Sequence, residues 1–145
     1  MQSIIEKCSR KYLTILMVDL NAEVGIDNTR YEDIMGRYGL GKRNENGERF
    51  ANLCAFNKSV TGGTIFPHKR IHKATWITPD HTTENHIDHI CINKKFRKIM
   101  ENVRTRRGAE VASDHHLLVA NLKLKLKKNW TNSTTKVQCS LPSRY

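Results

Sequence analysis

Leu13-Thr14-Ile15-Leu16-Met17-Val18 is a six-residue apolar run that stops abruptly on Asp19-Leu20-Asn21. A run of this length, too short for a helix and ended by charge, reads as a strand buried on both faces. On a strand, residues two apart point to the same side, so Asp19 and Asn21 would share a face. A polar pair at the exit of a buried strand either starts a turn through its own backbone or lines a cleft. Both readings stand at this point.

A buried strand needs layers around it. With 145 residues, 38 % of hydrophobic types and 27 % charged, the chain has material for one domain with a modest core. No apolar run approaches the roughly 18 residues of a membrane span. The N-terminus, Met1-Gln2-Ser3-Ile4-Ile5-Glu6-Lys7, meets charge too early for a secretory signal. The expectation is an intracellular chain with no membrane partner. Cys8, Cys54, Cys91 and Cys139 form no C-x-x-C, which excludes zinc-ribbon and thioredoxin motifs and predicts separate, reduced thiols. Lys+Arg number 25 against 14 Asp+Glu, a net charge of +11. That excess favours polyanions such as nucleic acid. It gathers at Arg97, Lys98, Arg104, Arg106 and Arg107, and again at Lys123, Lys125, Lys127 and Lys128.

Along the chain, a short helix is predicted over 3–8, and a loop over 23–47 with one short helix near Tyr31–Met35. A longer helix follows over about 47–56, where Phe50, Leu53 and Cys54 recur at helical spacing. Gly62-Gly63 interrupts the apolar stretch from Val60 to Phe66 and predicts a bulge or a close backbone approach. Short strands are expected over 74–78 and around Ile87–Ile92, with a turn at Pro79-Asp80-His81 between them. A basic helix is expected at Lys94–Ile99. Leu122, Leu124 and Leu126 alternate with lysine, predicting a last strand over 116–128 with one buried face. Residues 129–145 lose periodicity and are expected to be a disordered tail.

Two further segments carry chemistry. His86-Ile87-Asp88-His89-Ile90 places a carboxylate inside an apolar strand, which is costly unless it is paired, most naturally with an imidazolium. Ser113-Asp114-His115-His116 stands immediately before the last strand; an aspartate that fixes a histidine tautomer presents the other ring nitrogen to a reacting group. His68 and His72 have metal-ligand spacing, but Pro67 argues for a loop and no third ligand is evident, so zinc is not expected. Trp76 reads as a core anchor.

In this order the three segments resemble the motifs of the endonuclease/exonuclease/phosphatase superfamily. Val18-Asp19-Leu20-Asn21-Ala22 is similar to its Gly-Asp-Phe-Asn-Ala, Ile87-Asp88-His89 to its Ile-Asp-Tyr, and Ser113-Asp114-His115 to its Ser-Asp-His. The surroundings resemble the endonuclease domains of non-LTR retrotransposon endonuclease–reverse transcriptases, through Asn21-Ala22-Glu23-Val24-Gly25, Asn46-Gly47-Glu48-Arg49-Phe50, Ala74-Thr75-Trp76-Ile77 and Arg107-Gly108-Ala109. The resemblance covers about residues 1–128.

It implies an α/β fold: the C-terminal part of a four-layer, DNase I-like α/β sandwich of mostly antiparallel strands with flanking helices. It also implies a Mg²⁺-dependent endonuclease that nicks target DNA, with Mn²⁺ as an alternative ion and the reverse transcriptase of the same polyprotein as a second partner. Action on chromosomal DNA would place it in the nucleus. Asp19 would orient or deprotonate the attacking water, and Asn21 would bond a phosphate oxygen or hold Asp19. His115 would polarise the scissile phosphate, Asp88 would hold His115, and Asp114 would contribute to the metal's surroundings. Two departures lead to the expectation of a truncated domain with reduced or no activity. The family's first half, which supplies a metal-binding Asn and Glu, has no counterpart here, and Val18 replaces a glycine and is expected to crowd the strand end. The rival readings are an inactive basic remnant that binds nucleic acid, and a phosphatase of the same superfamily.

Overall fold

The computed structural model describes residues 2–9, 11–108, 114–125 and 138–140. A short helix α1 (Gln2–Glu6) precedes the apolar run, which forms β1 (Thr14–Asp19). Helix α2 (Glu45–Asn57) follows the long loop. Its start is fixed by Asn44, whose side chain accepts from the Gly47 amide at 2.7 Å, and Glu45 and Glu48 complement the positive end of the helix. Lys58, in a left-handed conformation with φ 51°, closes it. The helix expected near Tyr31–Met35 is instead a single turn, with the Ile34 and Met35 amides both on the Tyr31 carbonyl.

The remaining strands are β2 (Ser59–Thr61), β3 (Trp76–Ile77), β4 (Glu84–Asn85), β5 (Asp88–Asn93), β6 (Met100–Arg106), β7 (Leu117–Leu122) and β8 (Gln138–Ser140). Between β5 and β6, Lys94–Ile99 is a run of 3-10 helix. The central sheet has the order β2-β5-β1-β8, with β1 antiparallel to β5 and parallel to β8. Two-stranded sheets β3-β4 and β6-β7 flank it.

The layers follow from which side each strand residue faces. Leu16 and Val18 of β1, with Cys91 of β5, pack against Phe50, Ala51 and Cys54 of α2. Ile90 and Ile92 face the other way, onto Met100 and Val103 of β6 and, more peripherally, Leu118, Ala120 and Leu122 of β7. Helix, central sheet and second sheet therefore stack as three layers, the expected α/β architecture with mostly antiparallel strands. Val18 belongs to the helix side and is buried there, so it does not crowd the strand end as expected. Gly62 and Gly63 do meet a close approach: a Cβ on Gly63 would lie 2.4 Å from Cε1 of His86, and one on Gly62 would lie 2.7 Å from Met100 Sδ.

Strand β6 was not foreseen, and its irregular register explains why. The pairing runs Met100↔Leu122, then Asn102↔Asn121, so a bulge breaks the period-two signal at its start. Conversely, the last strand ends at Leu122 rather than at 128. Its partner begins at Met100, so among the described residues the ladder stops there: the Lys123 amide still donates to the Ile99 carbonyl at 2.8 Å, but Leu124 is 53 % exposed. Leu126 and the stretch to 137 lie outside the described residues, as do 141–145. Within the expected tail, Gln138–Ser140 is the described part and is a strand. The cysteines are not separate either. Thr61 Oγ1 lies 3.8 Å from Cys54 Sγ and 3.9 Å from Cys91 Sγ, bringing two buried free thiols together between α2 and the sheet.

Candidate active site

The register of β1 against β5 makes Asp19 and Asp88 direct cross-strand partners. Such partners share a face, and theirs is the face that carries Ile90 and Ile92, onto which β6 and β7 pack. The second sheet therefore delivers His115, two residues before β7, onto the same strand ends. His115 Nδ1 lies 2.9 Å from Asp88 Oδ2. One ligand atom from each of Asp19, Asp88 and His115 falls within 4.8 Å of the others. Asp19 is exposed, while Asp88 and His115 are half-buried.

The frame is tied by Thr75, fully buried just before β3. Its hydroxyl accepts from the Ile87 and Asp88 amides at 3.0 and 3.1 Å. Its carbonyl accepts from the His116 amide at 2.7 Å, and Trp76 forms an antiparallel bridge with His115. One residue thus fixes the start of β5 and the approach to β7.

Burial raises the Asp88 carboxyl above its ordinary value and the Asp19 charge adds to this, against the opposing hydrogen bond from His115. Two carboxylates and an imidazole converging at the strand ends form a donor set that could hold a divalent cation.

Of the residues expected at the site, the structure brings together Asp19, Asp88 and His115. Asp114, expected beside the metal, is exposed and outside this cluster; its carbonyl accepts from the Ile77 amide at 3.3 Å. Asn21 is exposed and does not extend the strand: β1 ends at Asp19 and Asn21 takes a left-handed φ of 53°. The strand argument for a shared face therefore does not apply to it. His68 joins no metal group and bonds Asn102 Oδ1 at 2.6 Å. Thr75, His86 and His89 stood in segments that the sequence singled out, Ala74–Ile77 and His86–Ile90, but were given no role there. Both histidines are buried, with ring centroids 4.8 Å apart, and His89 stacks on Phe50 at 4.9 Å.

The architecture has a known counterpart. The endonuclease domain of TRAS1, a telomere-specific non-LTR retrotransposon, superimposes with a TM-score of 0.52 over 77 % of this chain and 44 % of that domain, at 14 % identity. At that identity the likeness is one of fold: the described part of this chain shares the α/β architecture of that endonuclease domain. Two curated proteins named Craniofacial development protein 2, from Tragulus javanicus and Bos taurus, are 36 % identical over 129 residues, or 88 % of this chain. The chain spans 22 % and 21 % of their respective lengths. No protein-family profile matches the chain. Within this DNase I-like frame the cluster occupies the ends of two central strands. No helix among the described residues is long and apolar enough to cross a membrane.

Proposed function

We propose that the chain is part of a retrotransposon-type endonuclease domain whose Asp19–Asp88–His115 cluster hydrolyses DNA phosphodiesters with a divalent cation, Mg²⁺ or Mn²⁺. The convergence of these three side chains within 4.8 Å carries the reading. A bound cation would supply charge neutralisation of the phosphate and acidification of water. Asp19, the exposed carboxylate, orients or deprotonates the attacking water. Asp88 holds His115 through Nδ1, so that the other imidazole nitrogen donates to a phosphate oxygen as its charge develops. Asn21 and Asp114, both exposed near the strand ends, are available to the substrate rather than to the cation.

The surface supports a nucleic-acid substrate. Arg104 and Arg106 pair with Val119 and Leu117 on the side of β6-β7 turned away from the core, and Leu117 stands two residues from His115. Guanidinium groups on that outer side, in a chain of net charge +11, suit backbone phosphates without reading sequence, and favour DNA over a small phosphoester. On this reading chromosomal DNA is the substrate, the nucleus the place of action, and a reverse transcriptase on the same polypeptide a partner. A second reading is a basic DNA-binding remnant without activity, which the net charge of +11 supports whether or not the cluster works.

Nicking of supercoiled plasmid distinguishes them. Activity that requires Mg²⁺ or Mn²⁺, stops with chelator and is lost in Asp19→Ala and His115→Ala supports the endonuclease. DNA binding without nicking by the folded wild-type chain establishes the remnant.

A further inference from the structure

The exit of β1 is held in an unusual way. Asn21 adopts a left-handed backbone conformation, which costs a non-glycine residue about 1 kcal/mol and persists only where the surroundings enforce it. Here three successive carbonyls each accept a side-chain hydrogen: Leu20 from Asn46 Nδ2 at 3.4 Å, Asn21 from Asn44 Nδ2 at 3.1 Å, and Ala22 from His89 Nε2 at 2.6 Å. Asn44 also accepts from the Glu23 amide at 3.1 Å, so the segment is gripped from both sides. The shortest of these bonds is made by His89. A carbonyl can only accept, so Nε2 must carry the hydrogen.

His89 is placed for this by strand alternation. It follows Asp88 on β5 and therefore points to the opposite face, beneath the sheet, while Asp88 faces the cluster. It pairs across the sheet with Val18, the residue before Asp19. Its ring is fully buried between Phe50 and His86, and its Nδ1 makes no hydrogen bond. Polar orientation of the ring thus comes through the Ala22 carbonyl alone, a specific attachment in an otherwise apolar slot.

We infer that His89 is a positioning residue, which through the Ala22 carbonyl holds the left-handed turn at Asn21 and so fixes Asp19 opposite Asp88 and His115. The geometry of the clamp stands by itself; its consequence for the cluster rests on the divalent-cation reading above.

The test compares the full chain with His89→Phe and His89→Gln. Phenylalanine keeps an aromatic ring against Phe50 and removes the donor; glutamine returns an N–H near the position of Nε2. Hydrogen exchange at the Glu23 amide, next to the clamp, is read by NMR, and Mn²⁺ affinity by titration of paramagnetic broadening. Loss of one buried hydrogen bond predicts about tenfold faster exchange and about tenfold weaker Mn²⁺ binding in His89→Phe. His89→Gln is expected to recover most of both. Unchanged Glu23 exchange in a folded His89→Phe chain overturns the clamp. Faster exchange with wild-type Mn²⁺ affinity overturns the link to Asp19. Wild-type chain that binds no Mn²⁺ overturns the proposed function instead, leaving the exchange measurement to decide the clamp.

Discussion

Asp19 and Asp88 face each other as cross-strand partners at the end of β1 and β5, two carboxylates at a position where sheets normally place opposite charges or apolar pairs. The Asp88 carboxyl is raised by burial first and by Asp19 in addition, so its charged form is disfavoured by folding. A carboxyl raised in the folded state subtracts stability once the pH passes its unfolded value, which makes the pair a cost at neutral pH.

Asp19→Asn is therefore expected to stabilise the fold, by under about 1 kcal/mol because Asp19 is exposed and screened, while removing plasmid nicking. Urea denaturation at pH 7 and the nicking assay read the two effects on one sample. A variant that is both less stable and inactive would mean that Asp19 holds the strand end rather than serving chemistry.

Thr75→Val keeps the shape of a fully buried side chain and deprives the Ile87 and Asp88 amides of their acceptor. Leaving buried donors unsatisfied costs about 1–3 kcal/mol each, and Thr75→Ser should restore most of that loss. Chemical denaturation gives the magnitude. The imidazole NMR signals of His115 should move in the valine variant, because the ion-pair partner Asp88 is released with its amide.

Acid should loosen the core before it reaches the carboxylates. Burial pushes the His86 imidazole well below its ordinary value of 6.5 and His89 to about 4. The unfolded chain takes up these protons near the ordinary value, so it binds more protons than the folded chain in the window below. Stability should thus be full above about pH 6.5 and fall as the pH drops towards 4, by about 1.4 kcal/mol per pH unit for each neutral imidazole. Urea midpoints at pH 7.5, 6 and 5 measure the slope, and His89→Phe should flatten it. A slope unchanged by that substitution would place the acid sensitivity elsewhere.

Parts of this molecule were legible from local pattern. The run Leu13–Val18 carries strand β1, with Asp19 at its end, because Leu16 and Val18 need a core to cover them, although Met17 on the other face is exposed. The helical spacing of Phe50, Leu53 and Cys54 marks α2, because an amphipathic face is a local property, whereas the cap at Asn44 starts the helix at Glu45, earlier than the expected 47. Strand β6 was hidden by its bulge, and the lysine–leucine alternation promised a strand beyond Leu122, where the described ladder with β6 ends because β6 begins at Met100.

The site divides along the same line. The sequence by itself determined which side chains could do chemistry, Asp19, Asp88 and His115 among them, since residue type and the strand before or after it are written in order along the chain. Which three meet was decided by tertiary structure. It took the β1–β5 register to set Asp19 against Asp88, the stacking of β6-β7 on that face to bring His115 to them, and the left-handed turn at Asn21 to carry Asn21 off the strand. Register and layer stacking are set by contacts between residues far apart in sequence, and a shift of one residue in either would turn the same carboxylates to the opposite face.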